Sequence, residues 1–179
     1  MVRCFIGILA PESIKTGFKR LENEIAKLPV VCKFVEVENL HLCFSFLGEV
    51  EDDKIDGIKE KLDMIAGKYS SFSVRIKGMK AIPNERFIRV LVLDVIDEGK
   101  KLEPISKDIV KEIGGDSKPP HLTVCRVKNI TDRQVLLSKI EDMKNIEIGE
   151  ILIDGIQLIK SELNRSGPMY SVIHEALLS

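Results

Sequence analysis

The stretch HLCFSFLG at residues 41–48 and the stretch HLTVCRV at residues 121–127 are two copies of one pattern, and each opens with a histidine. The chain has only three histidines, so the copies hold two of them. Successive side chains of a strand point to opposite faces, so the histidine and the residue two positions after it share a face: His41 with Cys43, and His121 with Thr123. The copies start about half a chain length apart, which predicts two related lobes that each donate one His-x-(Thr/Cys) strand to a shared cleft.

Composition narrows the class of protein. With 179 residues, of which 44% are hydrophobic, the chain fits one domain over residues 1–179, built as two small lobes that share a core. Its net charge of -1 argues against long duplex DNA as a partner, because contact with nucleic acid then needs a local basic patch. No segment approaches the roughly 20 apolar residues of a membrane helix, so no membrane partner is expected. Four cysteines without paired spacing predict reduced thiols and a cytoplasmic protein.

Hydrophobic periodicity predicts a mixture of strands and amphipathic helices in both halves of the chain. Helices are expected from Pro11 to before Pro29, from the acidic cluster at 51–53 onward, over 102–113, and from a Thr131 cap to about Met143. Strands are expected at 3–9, 30–37, 41–48, 72–76, 87–95, 121–127, 146–153, 157–160 and 169–178, with turns at Pro83-Asn84 and Asn164–Pro168. The result is one compact α+β unit with two sheets facing a cleft.

A pair of histidines has a clear chemical use in such a cleft. Hydrolysis of a phosphodiester needs a base that deprotonates water and an acid that protonates the leaving oxygen, on opposite sides of phosphorus. An imidazole has an unperturbed pKa near 6.5, so one neutral and one protonated ring can coexist around neutral pH. The two motif histidines therefore predict acid–base catalysis that needs no metal or other cofactor.

The residues beside the histidines predict how phosphate is held. A hydroxyl two residues after the histidine can donate a hydrogen bond to a phosphate oxygen, and Thr123 has one. The thiol of Cys43 is a weaker donor, and Ser45, the next residue on that face, is a candidate to compensate. Arg126 is the nearest cation to the second motif, but simple alternation places it on the opposite face from His121. A twist or bulge is needed to aim it at the cleft.

Three other interpretations compete for the remaining polar residues. The side chains of His41, Cys43, His121 and Cys125 are of the types that bind zinc. In a regular strand, however, about four rises of roughly 3.3 Å separate His121 from Cys125, which is too far for both to bind one zinc ion. His174 has no matching partner and is expected to pack or to face solvent. Several cations are either plain surface charge or, since some fall near strand ends and turns, a path for RNA beside the cleft: Lys77, Lys80, Arg86, Arg89, Lys118, Lys128, Lys160 and Arg165.

The motifs HLCF and HLTV resemble the paired H-x-T-x signature of the two-histidine phosphoesterase superfamily. The stretches FIGILAPE, FVEVENLHLCFSFLGEV, AIPNERFIRVLVLDV, PPHLTVCRVK and LIKSELNRSGPMYSVI extend the resemblance across essentially the whole chain. They are similar to the branch known as RNA 2',3'-cyclic phosphodiesterases, LigT-like or 2'-5' RNA ligase-like proteins.

The resemblance implies a bilobal α+β fold in which two pseudo-twofold-related lobes with antiparallel sheets face a central cleft, with helices outside. It implies that His41 is the general acid and His121 the general base, and that Cys43, Thr123 and Arg126 bind substrate. It further implies a monomer that opens a terminal RNA 2',3'-cyclic phosphate to a 2'-phosphate, with 2'-5' joining in the reverse direction. Cys43 departs from the family threonine, which predicts low activity. VLVLDV also lacks an aromatic residue often found in that strand of the family.

Two alternative functions remain open at this point. The first alternative is a non-catalytic module, whose cleft binds RNA ends or nucleotides without turnover because Cys43 weakens the first motif. A phosphodiesterase with the same residues can also act on small cyclic nucleotides. Ligand binding without product distinguishes the first alternative from an enzyme.

Overall fold

The computed structural model describes residues 1–164 and 167–179, which form an α+β arrangement of strands and helices. The strands are β1 (Val2–Leu9), β2 (Val30–Phe34), β3 (His41–Val50), β4 (Phe72–Asn84), β5 (Phe87–Ile96), β6 (His121–Ile130), β7 (Glu147–Ile153), β8 (Gly155–Leu163) and β9 (Pro168–Leu177). The helices are α1 (Glu12–Ile25), α2 (Ile55–Ala66), α3 (Leu102–Glu112) and α4 (Arg133–Asp142), with short 3-10 turns at Val37–Asn39 and Asp52–Lys54. None of the helices over these ranges is both long and apolar enough to cross a membrane.

The strands form two sheets whose neighbours are all antiparallel. One sheet has the order β3-β1-β8-β9 and the other the order β2-β6-β5-β4-β7. The predicted pair of sheets is confirmed, and each sheet holds one histidine motif. The lobes are not the two halves of the chain, however, because β2 crosses into the second sheet while β8 and β9 return to the first. The two motif strands are thereby fixed within one interwoven structure.

Apolar stripes on the helices bury against the sheets. Ile14, Phe18, Leu21 and Ile25 of α1 are fully buried, and α1 packs against β7. Helix α3 buries Leu102, Ile105 and Ile109 in the same way and packs against β3. Burying a side chain of this size contributes about 1.5–3 kcal/mol, so these stripes decide which face of each helix meets a sheet. Helix α3 thereby covers one face of the motif strand β3.

Several predicted boundaries are wrong. Helix α1 ends at Ile25 and does not continue to Pro29. Helix α4 is capped by Asp132 and not by Thr131, because the Asp132 carboxylate accepts a hydrogen bond from the Val135 amide at 3.0 Å. The predicted turn at Asn164–Pro168 includes Arg165 and Ser166, which lie outside the described residues.

Candidate active site

A cavity of about 340 Å³ lies where β3 and β6 meet. Four of the five site residues predicted from the sequence line it: His41, Cys43, Thr123 and Arg126. His121 does not line the cavity; it is half-buried, lies two residues before Thr123 on β6, and is close enough for its charge to lower the pKa of His41. Sequence reasoning missed the rest of the lining, which includes Lys33, Phe5, Phe46 and Tyr170.

Both motif histidines are oriented by the same main-chain contact. Nδ1 of His41 lies 2.7 Å from the carbonyl oxygen of Asn39, and Nδ1 of His121 lies 2.8 Å from the carbonyl oxygen of Pro119. A carbonyl only accepts, so in each ring Nδ1 carries the proton and donates it. Neither Nε2 has a hydrogen-bond partner among residues 1–164 and 167–179. Each histidine therefore keeps Nε2 for a substrate, as acceptor when neutral and as donor when protonated.

A bulge at the same position in each motif strand re-aims the residue five positions after the histidine. Between β1 and β3 the register shifts so that Phe44 is the extra residue, and between β5 and β6 the extra residue is Val124. Two consecutive side chains are then buried, and alternation restarts one residue later. The burial pattern of the first six residues is the same in both strands. The sixth residue is Phe46 in β3 and Arg126 in β6, and both line the cleft.

The bulge in β6 settles the position of Arg126. Simple alternation puts this side chain opposite His121, and the sequence contains no direct sign of the inserted residue. The paired apolar residues Val124 and Cys125, both fully buried, are the signal that was available. Two successive core positions in a strand that otherwise alternates are typical of a bulge. Arg126 thus joins Thr123 on the cleft face.

Comparison with known proteins agrees with this geometry. A sequence model of the family described as LigT like Phosphoesterase matches residues 8–92. The protein named RNA 2',3'-cyclic phosphodiesterase of Methanocaldococcus jannaschii is 33% identical over 97% of this chain and 99% of its own length. The protein of that name from Aquifex aeolicus is 31% identical over 99% of this chain and 98% of its own.

The chain belongs to the LigT-like phosphoesterases of the two-histidine superfamily. Its fold is also that of a solved protein from Thermus thermophilus, TT0787, with a TM-score of 0.78 at 24% identity over 98% of this chain and 97% of the other. The expected bilobal α+β fold with antiparallel sheets around a cleft is therefore confirmed.

In this LigT-like protein, His41 is the more enclosed of the two histidines. Its ring lies 4.7 Å from the Phe5 ring and 5.3 Å from the Tyr170 ring, centroid to centroid. Burial lowers the pKa of His41 below its usual value, the hydrogen bond to the Asn39 carbonyl opposes that shift, and a positive charge on His121 adds to it. The free protein consequently favours neutral His41, with an accepting Nε2.

Cys43 lies in the cleft as a neutral thiol. Burial raises its pKa to about 11, with a further contribution from the charge of Asp116. A thiolate is the nucleophilic form of cysteine, so this residue is not poised for covalent chemistry at neutral pH. It also adds no negative charge beside a phosphate. What it offers is the weak donor of an S–H group, where Thr123 offers a hydroxyl in the other strand.

Ser45 does not replace the hydroxyl that Cys43 lacks. The bulge at Phe44 turns Ser45 into the interior, where it is fully buried and donates a hydrogen bond of 2.9 Å to the carbonyl of Gly114. Gly115 packs so closely against it that a Cβ there would lie 2.3 Å from the Ser45 oxygen. Ser45 therefore anchors the loop before the second motif to β3, and the expectation that it faces the substrate is wrong.

The competing interpretations of the polar residues find no support in the site. Cys125 is fully buried beside Cys32 on the opposite side of β6 from the histidines. Over the described ranges no group of three or more His, Cys, Asp and Glu residues is arranged to hold a metal ion. Nε2 of His174 forms a hydrogen bond of 2.8 Å with the carboxylate of Asp63, away from the cleft.

Among the described residues, none of the cations predicted for an RNA path lines the cleft, whereas Arg126, which was predicted to bind substrate, does. Lys33 and Arg126 line it, whereas four of the predicted cations form ion pairs elsewhere: Lys77 with Glu147, Lys80 with Asp94, Lys118 with Asp116, and Lys160 with Glu162. Arg165 lies outside the described residues. No pattern in the sequence indicated Lys33, because its position in the cleft depends on which strand β2 pairs with. Pairing of β2 with β6, which sets Lys33 opposite Arg126, brings it there.

Proposed function

We propose that this chain is an RNA 2',3'-cyclic phosphodiesterase that hydrolyses a terminal 2',3'-cyclic phosphate to a 2'-phosphomonoester. The observation that carries the proposal is the matched pair of histidines, each presenting a free Nε2 beside the groups that suit a phosphate. One ring that accepts a proton and one that donates a proton satisfy both needs of the reaction. The relatives that carry this name match the chain over nearly its whole length.

The reaction assigns one proton transfer to each ring. Nε2 of His121 accepts a proton from water as the water oxygen bonds to phosphorus. The bond between phosphorus and O3' breaks, and Nε2–H of His41 protonates the departing O3'. Thr123 and Arg126 donate to the non-bridging oxygens, where negative charge increases in the transition state. Cys43 contributes a weaker contact from the other side.

The burial of His41 is compatible with a role as the acid once substrate is bound. In the free protein its lowered pKa favours the neutral ring. A phosphate anion beside the ring favours the imidazolium, so binding of substrate raises the pKa that burial lowers. When the 5'-hydroxyl of a second RNA strand takes the place of water, the same two proton transfers give 2'-5' joining: His121 accepts the hydroxyl proton and His41 protonates O3'. In the reverse of joining, O3' attacks phosphorus and a neutral His41 removes its proton, as microscopic reversibility requires.

The substrate that fits this cleft is the end of an RNA strand. A cavity of about 340 Å³ is near the lower limit for ligand sites, which suits one terminal nucleotide. Phe46 offers an aromatic face for a base, and Lys33 offers a cation for the next phosphate. We place this enzyme in the cytoplasm, where its four free cysteines stay reduced, and expect it to act as a monomer formed by one domain over residues 1–179.

A binding module without turnover is the second candidate, and Cys43 is the observation that favours it. A neutral thiol stands where the family motif has a threonine hydroxyl, so transition-state stabilisation is reduced at one side of the phosphate. Such a protein binds the RNA end and releases it unchanged. A phosphodiesterase for small cyclic nucleotides differs only in the preferred length of its substrate.

Identification of the product tests these candidates. The purified protein, treated with EDTA, is incubated with an RNA oligomer ending in a 2',3'-cyclic phosphate and, separately, with a 2',3'-cyclic mononucleotide. We expect a 2'-phosphate terminus, lost by more than about 10³-fold in His41→Ala and His121→Ala. His174→Ala removes the remaining histidine, which lies outside the cleft, and is expected to retain activity.

Each other outcome selects a different function. Binding of the oligomer without product supports the binding module. Faster turnover of the mononucleotide supports the small-nucleotide enzyme. A 3'-phosphate product means that the acid protonates O2' and contradicts the proposed orientation of the substrate.

A further inference from the structure

Tyr170 is a cleft residue that no motif of the sequence indicates. It lies on β9, two strands away from β1 in the sheet, yet its ring crosses the sheet face to reach both Phe5 and His41. The ring meets the Phe5 ring at 5.0 Å and the His41 ring at 5.3 Å, edge to face in both cases. These contacts fix the ring beside the first catalytic histidine.

Asn39 forms hydrogen bonds with both His41 and the start of the strand that carries Tyr170. The carbonyl of Asn39 accepts the hydrogen bond from Nδ1 of His41, while its side-chain amide donates to the carbonyl of Pro168 at 2.6 Å. Pro168 begins β9, two residues before Tyr170. Asn39 is almost fully buried, so both bonds are shielded from water. The start of β9 and the first motif therefore hold a fixed relative position.

The hydroxyl of Tyr170 has no hydrogen-bond partner among residues 1–164 and 167–179. The side chain lines the cleft together with Cys43 and Arg126, and its hydroxyl makes no hydrogen bond within the described part of the chain. Burial raises its pKa and the neighbouring Cys43 raises it further, against a smaller effect of Arg126 and Arg3, so the O–H stays protonated at neutral pH. The side chain is only half-buried, so its O–H can exchange a water partner for an acceptor on a ligand in the cleft.

The first half-site lacks the hydroxyl that the second one has. In β6, Thr123 supplies an O–H donor two residues after the histidine. In β3 the same place holds the thiol of Cys43, and Ser45 is turned into the interior. A phosphate between the two strands thus receives a strong neutral donor from one side and a weak one from the other.

We propose that the Tyr170 hydroxyl binds a non-bridging oxygen of the substrate phosphate and supplies the hydrogen bond that Cys43 is too weak to make. This assignment rests on the proposed function, because it needs a phosphate at His41. It makes Tyr170 a substrate-contacting residue in a role that a threonine at position 43 would fill. The chain then has two hydroxyl donors for phosphate, one from each sheet.

A double-mutant cycle between positions 43 and 170 tests the assignment. The four proteins are the natural chain, Tyr170→Phe, Cys43→Thr and the double variant, and kcat/KM is measured for the RNA 2',3'-cyclic phosphate. Phenylalanine keeps the ring that packs on Phe5 and His41, so only the hydroxyl is removed. We expect Tyr170→Phe to lower kcat/KM by about 10- to 100-fold in the natural chain and by less than about 3-fold in the Cys43→Thr background.

The second tyrosine of the chain provides a matched control. The Tyr69 hydroxyl donates to the Asp108 carboxylate at 2.9 Å, and Tyr69 does not line the cleft. Tyr69→Phe is therefore expected to leave kcat/KM unchanged. As a binding probe, inorganic phosphate should bind more weakly to Tyr170→Phe than to the natural chain or to Tyr69→Phe.

Two outcomes overturn the assignment. Unchanged kcat/KM in Tyr170→Phe means that the ring only packs against His41. An equal loss in both backgrounds means that the hydroxyl acts independently of position 43. Failure of the proposed function looks different, because the natural chain then yields no product in the first place.

Discussion

The two motif strands share their backbone and differ in their chemistry. Each has a histidine held by the carbonyl two residues earlier, and each has a bulge after the third residue that turns the sixth side chain into the cleft. The cleft positions hold Cys43 and Phe46 in β3 but Thr123 and Arg126 in β6. The backbone geometry of the two strands is therefore the same, while the side chains that they place in the cleft differ in chemistry.

The difference follows from the substrate, which has no twofold symmetry. A nucleotide presents a charged phosphate on one side and a ribose and base on the other. The second strand carries the groups that hold an anion, and the first is surrounded by the aromatic rings of Phe5, Phe46 and Tyr170. The rings of Phe5 and Tyr170 also contact His41, and burial lowers the pKa of that histidine. The two strands therefore differ in what surrounds their cleft residues: aromatic rings at the first and polar donors at the second.

Replacement of either motif histidine is expected to have the largest effect, and the choice of substrate can show which of them is the acid. Loss of either histidine lowers hydrolysis of the cyclic phosphate by more than about 10³-fold. A p-nitrophenyl phosphodiester has a leaving group that departs without protonation, so an enzyme that lacks only its acid should still cleave it. We expect His41→Ala to retain far more of the natural rate on this ester than His121→Ala. The reverse ranking would exchange the two roles.

Arg126 is expected to have the next largest effect. Arg126→Gln removes a charged donor from the phosphate and should lower kcat/KM by about 10²-fold. Arg126→Lys keeps the charge but loses the planar pair of donors, so it should recover only part of that loss. Lys33→Gln, which removes the other lining cation, is the control for charge alone. If Lys33→Gln costs as much as Arg126→Gln, the cleft attracts the anion without a specific contact from Arg126.

The pH profiles of kcat/KM and kcat compare the pKa of His41 in the free enzyme with its pKa in the substrate complex. The profile of kcat/KM reports the free enzyme, in which burial lowers the pKa of His41. If the acid is His41, kcat/KM falls as pH rises through that lowered pKa, by at most about tenfold per pH unit. In the complex the phosphate charge raises the pKa, so kcat should fall only at higher pH. An NMR titration of the His41 ring with and without inorganic phosphate measures both values directly. Coincident profiles would contradict the effect of the phosphate.

The sequence predicted the repeated motif and the fold but only part of the cleft. Local patterns were enough for the strands and helices, because burial of apolar stripes decides them. Lys33 and Tyr170 could not be predicted, since both reach the cleft through pairing of strands far apart in the chain: β2 with β6 for Lys33, and β1 with β8 in the sheet that holds Tyr170. Ser45 was placed on the wrong face because strict alternation ignores the bulge at Phe44. In β6 the adjacent apolar residues Val124 and Cys125 indicate the bulge, whereas in β3 the second buried residue is the polar Ser45, which gives no such indication.

The smallest expected effects come from exchanging the residues two positions after the histidines. Thr123→Cys removes a hydroxyl for which β6 offers no replacement, so kcat/KM should fall by about tenfold or more. Cys43→Thr adds a hydroxyl where Tyr170 already donates, so the gain should be only about threefold. Both are measured on the RNA 2',3'-cyclic phosphate. The two changes are opposite in sign and unequal in size because only the first strand has a tyrosine beside it. A decrease in Cys43→Thr would mean that the thiol is itself required, and equal and opposite changes would mean that the two strands bind phosphate independently and alike.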